Sequence, residues 1–269
     1  MSTAVALAGV DKVFNRGKAN QVDALQSIDL VVETGEFVSL IGPSGCGKST
    51  LLRLVANLTD PTAGAVTVNQ KSARQARLDQ DYGMAFQQAG LFEWRSVIKN
   101  IELPLELQGI DRRQRRARAV ELLELVKLAE FADHHPWELS GGMQQRVAIA
   151  RALAGRPAIL LMDEPFGALD EMTREHMQDE LIHICAETAT TVIFVTHSIP
   201  EAVYLSNRVV VMSRRPGRIV AGIDVELGQR REDTREAPEF FKKITEVREA
   251  LRGHEVDELE LARGIEDSP

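Results

Sequence analysis

Long apolar runs, cysteines and positive charge are all in short supply in this chain. No apolar stretch approaches the roughly 20 residues that a membrane span needs, so any work at a membrane is expected to pass through a partner. Cys46 and Cys185 are the only two cysteines, which leaves no disulfide framework and fits a reduced cytosolic protein. The start, Met1-Ser2-Thr3-Ala4, lacks the charged, apolar and cleavage regions of a secretory signal. The formal net charge is −8, which argues against a dedicated nucleic-acid surface. What is present, 44% apolar and 27% charged residues over 269 positions, suffices to bury one large core or one core plus a subdomain.

The most informative stretch is Gly42-Pro43-Ser44-Gly45-Cys46-Gly47-Lys48-Ser49-Thr50, which fits the phosphate-binding pattern G-x-x-x-x-G-K-[ST]. It follows the apolar run Phe37–Ile41, which reads as a buried strand, and precedes an apolar helix expected over Leu51–Leu58. Glycines at 42, 45 and 47 are expected to take positive φ and let the backbone come close to a ligand. The loop amides then form an anion-binding concavity at a helix start. Lys48 would reach the β- and γ-phosphates, and the Ser49 hydroxyl would ligate Mg²⁺. Cys46 reads as a small filler with no catalytic task. An ordinary Gly-rich turn is the weaker alternative; the chain is read as binding a nucleoside triphosphate.

Along the chain, residues 3 to 35 read as antiparallel strands around a polar loop near Asn15–Gln21. Asp60-Pro61-Thr62-Ala63-Gly64 is a turn, and Ala65–Asn69 returns as a strand. Residues 96 to 155 read as mainly helical, with an apolar stripe at Val120, Leu123, Leu125, Val126 and Leu128. Further strands are expected at Ala158–Met162, Thr191–Thr196 and Arg208–Met212, with a helix from Thr173 to about Ala186. Strands alternating with helices imply an α/β fold with a mostly parallel sheet. Beyond about Gly222 charge density rises; Glu236–Leu251 reads as a peripheral helix and the last dozen residues as frayed.

Two more constellations carry chemistry. In Ile159-Leu160-Leu161-Met162-Asp163-Glu164-Pro165, two carboxylates emerge at the C-terminal end of a buried strand, where open α/β sheets put their ligands. Asp163 suits Mg²⁺, and Glu164 is placed to polarise an attacking water. In Leu139-Ser140-Gly141-Gly142-Met143-Gln144-Gln145-Arg146, Ser140 can N-cap a helix running through Val147, Ala150 and Leu153. That makes a second anion site. One nucleotide does not need two phosphate cradles in one monomer, so Ser140 and Gly142 are read as serving the nucleotide of a second copy.

In this order, Gly42–Thr50, Leu139–Arg146 and Ile159–Glu164 resemble the ATP-binding subunit of an ABC transporter, over residues 4 to about 220. The resemblance implies a P-loop NTPase fold with an N-terminal antiparallel β subdomain and a helical subdomain at about 88–155. The ATPase domain would be 1–222 and a C-terminal extension 223–269. Phe14 matches the aromatic that stacks on adenine, although alone it reads more readily as core and only its offset before the phosphate-loop strand favours the adenine platform. Gln87 matches the glutamine loop, a further Mg²⁺ or water ligand. Gly167-Ala168-Leu169-Asp170 matches the loop crossing the dimer interface, and His197 the switch histidine. Gly141 and Gln144 fall within the nucleotide-binding signature. His176 and His183 share a helix face, but at a rise of about 1.5 Å per residue they lie about 10 Å apart, too far to share a metal. His134 and His135 read as loop residues.

The resemblance implies two copies packed head to tail around two ATP molecules, with separate membrane permease subunits and, indirectly, an extracytoplasmic solute-binding protein. The protein would sit peripherally on the cytoplasmic face of the membrane. Leu91, Phe92 and Trp94 fall in a loop that reads either as core or as an exposed cleft for a partner's short helix. This segment, with Thr196–Ala202 and Met212–Ile219, is similar to the nitrate, sulfonate and taurine importer group, which also includes subunits serving thiamine pyrimidine precursors. Asn57, where a glycine is usual, and Gln88, after the loop glutamine, depart from the pattern. A cassette acting on nucleic acid or ribosomes is the other class. The run Arg112, Arg113, Arg115, Arg116 and Arg118 reads as a solvated helix face rather than a nucleic-acid contact. A small-molecule kinase would have no use for the signature.

Overall fold

A computed structural model describes residues 2–266. In chain order the elements are β1 (Thr3–Phe14), β2 (Val22–Glu33), β3 (Phe37–Ile41), α1 (Lys48–Val55), β4 (Ala63–Val68), β5 (Lys71–Ser72) and α2 (Ala73–Leu78). There follow β6 (Tyr82–Ala85), α3 (Val97–Leu107), α4 (Arg112–Leu125), α5 (Gly141–Leu153), β7 (Ile159–Asp163) and α6 (Glu171–Thr188). The chain closes with β8 (Thr191–Val195), α7 (Ile199–Leu205), β9 (Arg208–Met212), β10 (Ile219–Asp224) and α8 (Pro238–Glu266). The residues fall into two compact units, one drawn from 1–75 and 193–269, the other from 76–192.

In the first unit, the alternating segments near the N-terminus form an antiparallel sheet in the order β2-β1-β4-β5. The apolar run Phe37–Ile41 is buried at every position, the signature of a strand covered on both faces. It pairs in parallel with β9, Ile41 opposite Val211, and β10 adds antiparallel to β9. At the end of β8, the Thr196 N–H donates to the Leu40 carbonyl at 3.3 Å.

The helix expected over Leu51–Leu58 begins earlier, at Lys48, and stops at Val55. Asn57 explains the stop. It takes a φ of 46°, the left-handed conformation that usually selects glycine after a helix and that asparagine tolerates. Its side chain donates to Asp60 at 3.0 Å. The unusual asparagine therefore does the backbone work of the glycine it replaces.

The C-terminal region is better ordered than its charge suggests. Phe240, Ile244 and Val247, spaced one helical turn apart, are buried on α8, which packs on α7, β9 and β10. The Arg230 guanidinium reaches back to the carbonyls of Tyr204 (2.8 Å) and Ser206 (2.6 Å) at the end of α7. The backbone is helical through Glu266; residues 267–269 of the stretch expected to fray lie outside the described residues. Neither α7 nor β10 was foreseen, being short and flanked by polar residues.

In the second unit, β6 and β7 pair in parallel, Ala85 opposite Met162, and α3, α4 and α5 pack on one another. Asp111 caps α4, accepting the Arg113 N–H at 2.8 Å. Of the expected stripe, Leu123, Val126 and Leu128 are buried, joined by Ala119 and Leu122, whereas Val120 is 39% exposed. One residue is about 100° of helix, so Val120 falls off the face set by its neighbours. The basic run is not wholly solvated either. Arg115 and Arg116 lie 3.9 Å from the buried carboxylate of Glu102, and Lys99 lies 2.8 Å from it.

Candidate functional site

The loop Gly42–Lys48 joins a buried strand to a helix, and its glycines answer to different demands. Gly45 and Gly47 take φ values of 76° and 113°, where a Cβ would clash with the backbone. Gly42 does not share the expected positive φ. There a Cβ would lie 2.8 Å from the Met212 carbonyl and 3.0 Å from Cys46 Sγ, so close packing excludes a side chain. Cys46 is buried, as a filler should be; burial pushes its thiol pKa up, with Lys48 opposing.

Lys48 is itself 6% exposed. Its ammonium is held within the loop by the carbonyls of Gly42 (2.8 Å) and Pro43 (3.1 Å). Ser49 and Thr50 follow on the first turn of α1, which contains no acidic residue to repel an anion. Phe14 ends β1 at 38% exposure, with the Lys12 ammonium 4.8 Å from its ring centroid. It is not a core residue. His197 is exposed directly after Thr196. The turn around it is fixed on both sides, because the Thr196 hydroxyl bonds the Glu201 carboxylate and accepts the Ser198 N–H at 3.0 Å.

The second unit holds the carboxylates and the signature. Asp163 is the last residue of β7 and 4% exposed. Glu164 takes a φ of 47°. For a residue with a Cβ this conformation costs about 1–2 kcal/mol, and strain of this kind concentrates at functional positions. Gln87, two residues beyond β6, brings its Nε2 to 3.4 Å from Glu164 Oε2.

Ser140 caps α5, its Oγ accepting the Met143 N–H at 3.3 Å; its own O–H remains to donate. Gly141 and Gly142 open the helix. A Cβ on Gly141 would meet nothing within 4 Å among the described residues, and one on Gly142 would approach only the Ala168 carbonyl (3.2 Å) and Leu169. Gln144 turns inward, donating to the carbonyls of Pro136 (2.8 Å) and Leu139 (3.3 Å), so it shapes the turn from below. Asp170 caps α6 by accepting the Thr173 N–H at 3.0 Å. That bond holds its carboxyl below the usual range, with Arg146 a minor contributor. No metal-holding group of three or more His, Cys, Asp or Glu occurs among the described residues. His183 instead pairs with Glu187 at 3.2 Å.

Of Leu91, Phe92 and Trp94, Phe92 lines an open cleft of about 400 Å³ walled also by Tyr82, Met84, Leu103, Leu107 and Arg151. Trp94 is 75% exposed and its ring lies 4.9 Å from that of Phe92. Core packing therefore does not explain it. Two residues were overlooked: Gln145 and Arg151, whose side chains hold the backbone on either side of Gln87. The signal for Arg151 was legible, since it is a lone cation within Val147–Leu153, an otherwise apolar helix stretch.

Comparison with known proteins agrees with this geometry. Residues 25–167 match the family model described as ABC transporter. The chain belongs to the ATP-binding subunits of ABC transporters. The cassette is 47% identical to the taurine import ATP-binding protein of Rhizobium johnstonii, over 90% of this chain and 93% of that one. It is 45% identical to the nitrate import ATP-binding protein of Synechocystis, covering 94% and 97% respectively. Among solved structures, a dimeric post-hydrolysis state of an ATP-binding cassette bound to ADP and phosphate superposes with a TM-score of 0.76 at 36% identity. It covers 82% of this chain and 99% of the other. The fold is that of a P-loop NTPase, with parallel strands, an antiparallel β subdomain and a helical layer. The protein is an ATPase coupled to transport. No helix among the described residues is long and apolar enough to cross a membrane.

Proposed function

We propose that this cassette energises import of a small solute across the cytoplasmic membrane, working as a head-to-tail dimer bound to separate permease subunits. The observation that carries the reading is the presence of two phosphate cradles, Gly42–Thr50 and Ser140–Gly142, in a chain whose relatives are import subunits. Each ATP would take Gly42–Thr50 and Asp163 from one copy and Ser140, Gly141 and Gly142 from the other, with Asp170 at the junction and Phe14 under adenine. Residues 1–222 would form the ATPase domain, with the helical subdomain at about 88–155, and 223–269 a C-terminal extension.

The Ser49 hydroxyl, the Asp163 carboxylate and the Gln87 amide oxygen are the hard oxygen donors that Mg²⁺ requires. When bound, the ion would neutralise charge on the phosphates. Lys48, the loop amides and His197 stabilise the transferred group. Glu164 takes the proton as water attacks the γ-phosphorus and the bond to the β-phosphate oxygen breaks, leaving ADP and phosphate. Hydrolysis removes the group that both copies share, and the dimer opens.

The cleft lined by Phe92 would be the docking surface for a permease helix, with the protein peripheral on the cytoplasmic face. The solute is taurine-, sulfonate- or nitrate-like, in keeping with the relatives' names. Glu164→Gln tests the reading. It should bind ATP as the parent does and lose on the order of 10²–10⁴-fold in turnover; near-normal turnover would remove Glu164 as the base.

A further inference from the structure

Three hydrogen bonds from α5 bracket the loop that carries Gln87. Before it, the Gln145 side chain donates to the Phe86 carbonyl at 2.8 Å. After it, the Arg151 guanidinium donates to the Ala89 carbonyl at 2.8 Å and the Gly90 carbonyl at 2.9 Å. Between these anchors lie two residues, Gln87 and Gln88. Gln145 is 2% exposed, and burial draws the Arg151 guanidinium below its usual pKa. The strand leading into the loop is seated on the same helix. A Cβ on Gly83 of β6 would lie 2.1 Å from the Ala152 carbonyl, so the two backbones touch.

A guanidinium fork spanning two consecutive carbonyls is a geometry that a lysine cannot reproduce. Bonds from a charged donor to a neutral carbonyl are also among the stronger ones available. Holding an exposed loop this way makes little sense for stability alone, because loops tolerate mobility. It makes sense if the loop's one functional side chain must be presented accurately.

We propose that Gln145 and Arg151 are positioning residues for hydrolysis, clamping the Gln87 loop to α5 so that the Gln87 amide meets Glu164. The helix that Ser140 caps thereby also aims Gln87. Arg151 walls the apolar cleft as well, which gives a docked helix a physical route to the same loop. This proposal rests on the reading of Glu164 and Gln87 given above.

Two measurements on the full chain test it. Without nucleotide, amide hydrogen exchange at residues 87–91 should be at least about tenfold faster in Arg151→Ala and in Gln145→Ala, with the rest of α5 unchanged. Unchanged exchange there overturns the clamp, whatever the fate of the catalytic reading. With Mg-ATP, Arg151→Ala should lower kcat by about 5–10-fold while KM stays within about twofold. In a Gln87→Ala background the same change should cost no more than about twofold, because Arg151 acts through Gln87. Arg151→Lys, which keeps the charge and the fold, should recover only part of the loss. An equal loss in both backgrounds, or full rescue by lysine, overturns the positioning role. A Gln87→Ala chain with parental turnover would instead remove Gln87 from the mechanism, and the clamp's purpose with it.

Discussion

In the phosphate loop every glycine has a reason inside the fold. Gly45 and Gly47 need a left-handed backbone, and a side chain on Gly42 would strike the Met212 carbonyl. In the signature turn Gly141 has no such reason. It takes no positive φ and faces open space among the described residues, whereas a Cβ on Gly142 would crowd the Ala168 carbonyl at 3.2 Å. A needless glycine at a helix start is a poor choice for stability, since glycine costs about 0.5–1 kcal/mol more than alanine in a helix. One region is glycine-rich because the chain requires it; at Gly141 the chain does not, and the proposed approach of a second copy's nucleotide would supply the reason.

That contrast can be broken by substitution. The largest effect is expected at Gly141→Ala, where a methyl displaces the approaching phosphate of a second copy. A misplacement of about 1 Å costs on the order of 10²-fold in turnover, measured as steady-state phosphate release. A parental rate would mean that nothing approaches this turn. Next comes Gly42→Ala, which should destabilise the fold by about 1–3 kcal/mol through overpacking against Met212 and Cys46. Denaturant unfolding of the nucleotide-free chain measures it, and an unchanged midpoint would show that the loop has slack. The smallest effect sharpens the comparison most. Gly141→Ala should stabilise the nucleotide-free chain by about 0.4–1 kcal/mol, since its backbone conformation suits alanine. Destabilisation would mean that the fold itself requires this glycine.

The parts legible in the sequence were those where local chemistry decides. Ser140 reads as a side-chain cap, and it caps the helix it precedes. Phe37–Ile41 is an unbroken apolar run, and it is a buried strand. What stayed hidden depends on contacts distant in the chain. Gly42 was assigned a positive φ because glycines usually mean that; the Met212 carbonyl lies 170 residues away and leaves no local trace. Val120 falls outside the buried stripe because apolar residues crowd α4 and only its neighbours choose among them. Gln145 looks like an ordinary helix residue until the Phe86 carbonyl is placed beside it, and Arg151, though conspicuous as a lone cation, does not betray its partners Ala89 and Gly90. Gln144, read with the signature, spends its donors on Pro136 and Leu139 instead.

The account stands or falls on a shared site: the serine-glycine turn of one copy completes the nucleotide pocket of another. Light scattering of Glu164→Gln at saturating ATP and magnesium measures this, set beside the same variant carrying Gly141→Asp. The expected result is a dimer for the first and a monomer that still binds ATP for the second. A monomeric Glu164→Gln, or a dimer indifferent to the aspartate, would contradict it.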